Sequence, residues 1–304
     1  MAPTDLVSLS KFLGFAPQHL FYVVELADKM YFQFKIEKAS GGKRTIHAPR
    51  TELKGVQRAI LKKILENVSC NDACFAYVRG RNVVQAARKI SGHKAVLRLD
   101  VKNFFPTITQ KRVFGLFKSQ GFNSTVSFIL SKLCTRNGEL CQGAPTSPSI
   151  SNLIFRNADE QLTSLATTFK LEYIRYSDDM FFFADRNFRY PRIAEVVEKI
   201  VKANGFELNA KKTKFHRRGS PRFTLGLQTS GRDPRFSRFQ KRLYRAAFFK
   251  ASSNLKWGHQ NVQRLVGMAQ WYKAIYGPDE LYQDYTRIIG NVLNMKIHDV
   301  YVQS

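Results

Sequence analysis

The segment that decides the fold is residues 171–185, LEYIRYSDDMFFFAD. Two adjacent carboxylates, Asp178 and Asp179, interrupt an otherwise apolar run, so the pattern predicts two strands joined by a tight turn that carries the acids. Carboxylates this close repel each other, and each raises the pKa of the other unless cations share the site. The pair therefore indicates a divalent metal site, with a solvated hairpin turn as the alternative interpretation because Asp favours turns.

A third acid ends a second predicted strand. Residues 95–100 read AVLRLD, so Asp100 closes an apolar and basic segment. Three carboxylates on two neighbouring strands can hold two Mg²⁺ ions, an arrangement that activates a 3′-hydroxyl and neutralises a leaving pyrophosphate in nucleotidyl transfer. Asp100, Asp178 and Asp179 are thus the candidate catalytic residues.

The composition points to a polyanionic partner. The 304 residues include 49 Lys and Arg against 23 Asp and Glu, a net charge of +26. Such a field favours nucleic acid, but it also fits a ribosomal protein, a nucleoid protein or a membrane-surface binder. With 44% hydrophobic residues and 25 Phe, the chain can bury a large core of about two domains.

The sequence carries no pattern typical of a membrane segment or an export signal. No apolar run approaches the ~18 residues of a membrane helix, and residues 1–5, MAPTD, lack the charged and apolar regions of a signal peptide. We therefore expect a cytoplasmic protein without a membrane partner. The four cysteines form no CxxC pair, which favours reduced, partly buried thiols over a zinc site.

Two further segments have the composition of ligand-binding loops. A predicted hairpin carries the adjacent cations Lys43 and Arg44, which could grip a triphosphate or simply keep an edge strand soluble. Residues 142–148, QGAPTSP, open a predicted helix. The Gly-Ala-Pro turn lets the backbone approach a ligand, and Gln142 offers both a donor and an acceptor there, although a helix start without a ligand has the same pattern.

The remaining segments predict helices on one face of a largely antiparallel sheet. Helical spacing of apolar residues covers 53–68 and 111–133, and short strands are predicted at 206–209 and 223–227. From Gly231 onward the chain becomes helical, basic and aromatic.

Taken in order, these segments resemble the palm motifs of reverse transcriptases, and most closely those of the bacterial retron type. The motifs that carry the resemblance are LRLD (97–100) with FFP (104–106), QGAPTSP (142–148), YSDD (176–179), GFELN (205–209) with KT (212–213), and LGL (225–227). Each motif alone is weak, whereas the ordered set is specific.

The resemblance implies an α+β fold, the right-handed polymerase of fingers, palm and thumb. Its palm would be an antiparallel sheet backed by helices, and its thumb would be helical. The implied boundaries are 1–94 for the N-terminal region and fingers, 95–230 for the palm with fingers helices at about 111–140, and 231–304 for the thumb.

The resemblance also implies a catalytic set. The three acids would bind two Mg²⁺ ions, for which Mn²⁺ can substitute, and the carbonyl of Val101 would be an additional ligand. Lys212 occupies the position of the cation that protonates the departing pyrophosphate, a suitable task for an ammonium near phosphates.

A second implied set surrounds the nucleotide. Lys43 and Arg44 resemble the fingers cations that clamp the triphosphate, and Gln142 resembles the residue that faces the 3′ side of the nucleotide. Phe105 resembles the aromatic gate that clashes with a 2′-hydroxyl and so selects deoxynucleotides. Tyr176 would pack near the primer terminus.

A retron enzyme is an RNA-directed DNA polymerase that copies a structured noncoding RNA into single-stranded DNA, the msDNA, from a 2′-hydroxyl primer. The implied partners are that RNA template, its cDNA product as an RNA–DNA hybrid, dNTPs, and an effector protein used in anti-phage defence. The alternatives are another bacterial reverse transcriptase, of the group II intron-like, diversity-generating or abortive-infection class, or a non-catalytic basic RNA-binding protein.

Two segments depart from the retron pattern. Residues 85–89, QAARK, stand where retron enzymes carry Asn-Ala-x-x-His, and residues 224–226, TLG, stand where they carry Val-Thr-Gly. These departures concern RNA recognition and the subfamily, and they leave the catalytic motifs untouched.

Overall fold

The chain divides into two units in the computed structural model: residues 1–82 with 95–215, and residues 83–94 with 216–304. The structure describes residues 2–37, 41–217, 219 and 221–294. The end of the expected thumb, 295–304, lies outside these described residues. The fingers, palm and thumb boundaries stay a prediction.

The described residues contain both helices and short strands. The strands are β1 (Tyr31–Glu37), β2 (Lys43–Pro49), β3 (Ala95–Asp100), β4 (Glu172–Tyr176), β5 (Asp179–Ala184), β6 (Lys214–Arg217), β7 (Phe223–Thr224) and β8 (Leu227–Gln228). The helices are α1 (Leu6–Leu13), α2 (Pro17–Leu26), α3 (Thr51–Lys63), α4 (Val83–Ile90), α5 (Gln110–Ser119), α6 (Ser124–Cys134), α7 (Ser147–Thr168), α8 (Tyr190–Ala203), α9 (Arg238–Ser253), α10 (Leu255–Gln260), α11 (Val262–Tyr276) and α12 (Glu280–Leu293).

The central sheet of the first unit has the strand order β4-β5-β3-β6. Strand β5 is antiparallel to both of its neighbours, β4 and β3. Because β5 is a central strand covered on both faces, its residues 180–183 are completely buried and read as a continuous apolar run. The α+β class with an antiparallel sheet, expected from the sequence, is confirmed.

Aromatic packing joins the helices of the first unit to the segments around its sheet. The helix α7 starts within the QGAPTSP segment, as predicted, and buries Phe155. The ring of Phe155 lies 4.9 Å from that of Phe206 and 5.6 Å from that of Phe104. The four cysteines are free thiols, and three of them are buried.

Two of the predicted strands are wrong. Residues 206–209 form a single bridge, Val101 to Leu208, because the chain leaves β3 at once and enters a 3₁₀ turn at 210–212. Residues 223–227 form the hairpin β7-β8 instead of one strand. Its two turn residues, Leu225 and Gly226, have φ values of 54° and 81°, the left-handed pair that a tight hairpin turn requires.

The predicted helices are correct in place but differ in extent. Helix α3 ends at Lys63, short of the expected residue 68. The region expected to be helical over 111–133 is two helices, α5 and α6, separated at Gly121, whose φ of 87° cannot continue a helix.

The second unit is mainly helical, and a buried arginine fastens its separate segments together. Arg222 is 2% exposed and donates hydrogen bonds to the carbonyls of Ile90, His93 and Thr229. These bonds connect the 83–94 segment to the β7-β8 hairpin. The two segments that depart from the retron pattern, residues 85–89 and 224–226, both lie in this unit. Within the described residues, no helix combines the length and apolarity needed to cross a membrane.

Candidate active site

Backbone pairing sets two of the predicted acids side by side. In the antiparallel register of β3 and β5, Asp100 at the end of one strand lies directly opposite Asp179 at the start of the other. The side chains of opposed residues share a face of the sheet, with Cβ atoms about 4.5–5.5 Å apart. One end of the sheet therefore carries two neighbouring carboxylates.

The turn between β4 and β5 carries the third acid. Ser177 begins the turn with a φ of 60°, in the left-handed region. The carbonyl of Asp178 accepts a hydrogen bond from the amide of Val101 at 2.9 Å, so the turn is fastened to the residue that follows Asp100. The structure thus brings together the acids that the sequence places in separate segments.

An arginine that the sequence analysis missed binds one of these acids at two points. The Nε and Nη2 atoms of Arg98 donate to the two carboxylate oxygens of Asp179 at 2.9 and 2.8 Å. Burial raises the pKa of Asp179, Arg98 opposes this shift, and the charges of Asp178 and Asp100 add to it. Arg98 is thus the group that stabilises the charged form of the partly buried Asp179.

Lys212 contacts the most deeply buried acid. Its Nζ donates to Oδ2 of Asp100 at 2.8 Å, from the 3₁₀ turn that follows Asn209. The amide of Asn209 in turn donates to the carbonyl of Asp100 at 2.8 Å, which holds this turn against the end of β3. The other carboxylate oxygen, Oδ1 of Asp100, is buried and has no hydrogen-bond partner.

The QGAPTSP loop lies against the hairpin that carries the predicted triphosphate clamp. The carbonyl of Gln142 accepts a hydrogen bond from the amide of His47, on β2, at 2.8 Å. Gly143 has a φ of 119°, and a Cβ atom there would lie 2.5 Å from the carbonyl oxygen of His47. Only glycine satisfies both the conformation and the close approach.

The predicted clamp residues begin strand β2. Lys43 lies opposite Glu37 and Arg44 lies opposite Ile36 in the register of the hairpin. Both cations are exposed, so they are accessible to a ligand.

Two predicted aromatic residues differ in their surroundings. Tyr176 is half-buried and lies directly opposite Asp179 in the β4-β5 register. Phe105 is only 8% exposed and packs edge-on against Phe104, with ring centroids 5.6 Å apart. The position of Tyr176 is next to the acids, whereas most of the Phe105 ring belongs to the core.

Comparison with known proteins assigns the family. The model of the family described as "Reverse transcriptase (RNA-dependent DNA polymerase)" matches residues 36–236. Two proteins of Myxococcus xanthus, the Retron Mx65 and Retron Mx162 reverse transcriptases, are 33% and 31% identical over 65% and 79% of this chain and 50% and 56% of their own. The Retron Ec86 reverse transcriptase of Escherichia coli is 31% identical over 74% of this chain and 71% of its own. The chain belongs to the retron reverse transcriptases.

This membership confirms the resemblance recognised from the ordered motifs. All five motifs that carried it, from 97–100 to 225–227, fall inside the matched range. The chain spans about half the length of the two Myxococcus relatives.

Reverse transcriptases use a divalent metal, and the residues present fit one. Carboxylate oxygens are the preferred ligands of Mg²⁺ and Mn²⁺, and the buried Oδ1 of Asp100 is an acceptor without a partner. Among the described residues, no three His, Cys, Asp or Glu side chains are arranged as a finished metal cluster. The carboxylates of Asp179 and Asp100 are instead paired with Arg98 and Lys212, respectively.

A signal for Arg98 is present in the sequence. Residues 98 and 100 are two apart on a strand, so their side chains point to the same face. An arginine inside an otherwise apolar strand, on the face of a candidate metal ligand, is therefore a candidate partner of that site. Its actual acceptor, Asp179, depends on the pairing of β3 with β5.

The close approach at Gly143 yields a test. In Gly143→Ala the new Cβ overlaps the His47 carbonyl, so the hydrogen bond from the His47 amide to Gln142 should weaken. Hydrogen exchange of the His47 amide should accelerate by at least about tenfold. Gly138→Ala is the matched control, because Gly138 also has a positive φ, 80°, but open space around it. If the exchange rate of the His47 amide were the same in both variants, the close contact between Gly143 and the His47 carbonyl would be contradicted.

Proposed function

We propose that the chain is an RNA-directed DNA polymerase that copies a structured noncoding RNA into single-stranded DNA, the msDNA of a retron. The observation that carries the proposal is the opposition of Asp100 and Asp179 beside the turn at Asp178. Family membership supplies the class of reaction, and this end of the sheet supplies the acidic residues that the reaction needs.

The acids are proposed to hold two Mg²⁺ ions, or Mn²⁺ in their place, with the Val101 carbonyl as an additional ligand. When bound, the ions activate the attacking 3′-hydroxyl and neutralise the leaving pyrophosphate. The chain keeps the carboxylates together in a partly buried setting. Arg98 supports this task, because its two hydrogen bonds orient Asp179 and reduce its repulsion from Asp100.

Lys212 is proposed to donate a proton to the pyrophosphate as it leaves. Its side chain is 56% exposed, so the ammonium can turn from Asp100 toward an incoming phosphate at little cost in burial. An ammonium near phosphate oxygens is a suitable general acid for this step.

The nucleotide is proposed to lie between the β1-β2 hairpin and the acids. Lys43 and Arg44 would clamp the triphosphate, and Gln142, whose carbonyl holds the hairpin at His47, would face the nucleotide. The small exposed part of Phe105 would meet the 2′ position of the sugar. Tyr176, opposite Asp179, would pack near the primer terminus.

The net charge of +26 supports polyanionic partners. We propose that these are the noncoding RNA template, the RNA–DNA hybrid made from it and the dNTPs, with priming from a 2′-hydroxyl of the RNA. An effector protein encoded with the enzyme, cytoplasmic action and a role in anti-phage defence complete the proposal.

Removal of one acid tests the mechanism. Asp178→Asn, Asp179→Asn or Asp100→Asn should lower Mg²⁺-dependent primer extension on an RNA template by about 10³-fold or more. Asp284→Asn is the matched control, since it removes an exposed carboxylate of α12 that pairs with Arg287. A fully active Asp178→Asn enzyme would refute the mechanism. A wild-type chain that binds RNA but extends no primer would favour the non-catalytic alternative.

Substitution of the proposed sugar gate gives a second test. Phe105→Val should admit ribonucleotides, because a smaller side chain removes the clash with the 2′-hydroxyl. The measurement is the ratio of kcat/KM for dNTP to that for rNTP. Phe155→Leu serves as the control, since it perturbs the same aromatic cluster at a completely buried position. An unchanged ratio in Phe105→Val would place the gate elsewhere.

The retron assignment is tested by the nucleic acid that the protein carries. When the chain is expressed together with the DNA that flanks its gene, the copurified nucleic acid should contain one branched RNA–DNA species. Sequencing after treatment with and without RNase identifies the branch. Linear cDNA copied from many cellular RNAs would instead favour another class of bacterial reverse transcriptase.

A further inference from the structure

A completely buried ion pair lies behind the acidic turn. Arg175 on β4 and Asp159 on α7 are both 0% exposed. The Nε of Arg175 donates to Oδ1 of Asp159 at 2.9 Å, and its Nη2 donates to Oδ2 at 2.7 Å. The hydroxyl of Tyr173 donates a further hydrogen bond to Asp159 at 2.8 Å. The two charged groups thus meet at two points, and both carboxylate oxygens of Asp159 accept hydrogen bonds.

The remaining nitrogen of the guanidinium reaches the turn itself. Nη1 of Arg175 donates to the carbonyl of Ser177 at 2.9 Å and to Oδ1 of Asn152 at 3.1 Å. Ser177 is the residue held in the left-handed conformation, immediately before Asp178. Asn152 and Asp159 both belong to α7, so two of the three residues that the guanidinium binds are fixed to one helix.

The position of the guanidinium is fixed from other directions as well. It lies 4.7 Å from the ring centroid of Phe155 and 5.8 Å from that of Phe104. The backbone of Arg175 also bonds to the neighbouring segment, donating to the Ala73 carbonyl at 2.7 Å and accepting from the Phe75 amide at 2.8 Å. The two phenylalanine rings and the backbone hydrogen bonds therefore restrict the Arg175 side chain to this position.

Stability alone does not explain such a pair. Burial of two charges carries a desolvation cost, and well-packed apolar residues of similar volume often give equal or greater stability in their place. A non-glycine residue in the left-handed region also costs free energy, which surrounding contacts must offset. The hydrogen bond from Arg175 to the Ser177 carbonyl is a contact of this kind.

We infer that Arg175 is a positioning residue for the acidic turn. Its pair with Asp159 fixes the guanidinium so that Nη1 holds the Ser177 carbonyl, and this keeps Asp178 and Asp179 beside Asp100. Because α7 begins within the QGAPTSP segment, the same pair ties the proposed nucleotide loop to the acids. The inference deepens the proposed function and rests on it.

Two single variants separate positioning from stability. Arg175→Lys keeps a positive charge for Asp159, but one ammonium cannot span Asp159 and the Ser177 carbonyl as the planar fork does. Tyr173→Phe removes one hydrogen bond from the same Asp159 and leaves the contact with Ser177 intact. The readouts are the melting temperature, the binding of Mn²⁺ alone by electron paramagnetic resonance, and kcat and KM on an RNA template.

We expect Arg175→Lys to weaken Mn²⁺ binding and lower kcat, each by about tenfold, at temperatures where the variant is folded. Tyr173→Phe should lower the melting temperature yet keep both quantities within about twofold. Since glycine adopts the left-handed conformation freely, Ser177→Gly added to Arg175→Lys should restore Mn²⁺ binding by about fivefold. Wild-type Mn²⁺ binding in folded Arg175→Lys, or equal losses in both single variants, would overturn the inference.

A charge-free variant covers the case in which Arg175→Lys does not fold. Asp159→Leu, Tyr173→Phe and Arg175→Met together replace the pair by apolar side chains of similar volume, a change that proteins often tolerate without loss of stability. The folded triple variant should show the same loss of Mn²⁺ binding, and wild-type binding would overturn the inference. Failure of the proposed function would be recognised separately from failure of this inference, because the wild-type chain itself would then extend no primer.

Discussion

The repulsion between Asp100 and Asp179 is the constraint on which the site depends. The antiparallel pairing of β3 with β5 opposes these two carboxylates directly, and burial raises the pKa of Asp179. Two cations offset this repulsion, because Arg98 pairs with Asp179 and Lys212 pairs with Asp100. Two opposed carboxylates and the two cations that pair with them thus meet at one end of the sheet, in a chain whose net charge is +26. The net charge favours nucleic acid, whereas the carboxylates suit divalent cations.

The hydrophobic core fixes the register that creates this repulsion. A slip of one residue between β3 and β5 would turn every side chain of the strand to the other face. Residues 180–183 are completely buried on a strand that is covered on both faces, so a slip would force these side chains to repack within close-packed layers and would move Asp179 out of register with Asp100. The aromatic cluster of Phe104, Phe155 and Phe206 supports the same end of the sheet through α7 and the segment after Asp100. Apolar burial therefore holds in place an electrostatic arrangement that is unfavourable by itself.

Family membership and geometry contribute different parts of the functional argument. The match over residues 36–236 places the chain among the reverse transcriptases, and its similarity to the Retron Ec86 reverse transcriptase places it among those of retrons. The match alone does not show which side chains meet, whereas the structure shows Lys212 on Asp100 and Arg175 behind the turn. The separate tasks proposed for these residues rest on these contacts.

The sequence by itself determined the acidic hairpin, the helix that begins within QGAPTSP and the α+β class, because alternation, helical spacing and turn chemistry are local properties. Tertiary structure decided the partners. Arg98 meets Asp179 across strands that are 81 residues apart in the chain, and residues 206–209 remain a single bridge because the chain turns away from β3. Residues 83–94 join the second unit through buried contacts of Arg222. Such contacts arise only when distant segments pack together, and no local pattern encodes which segments those are.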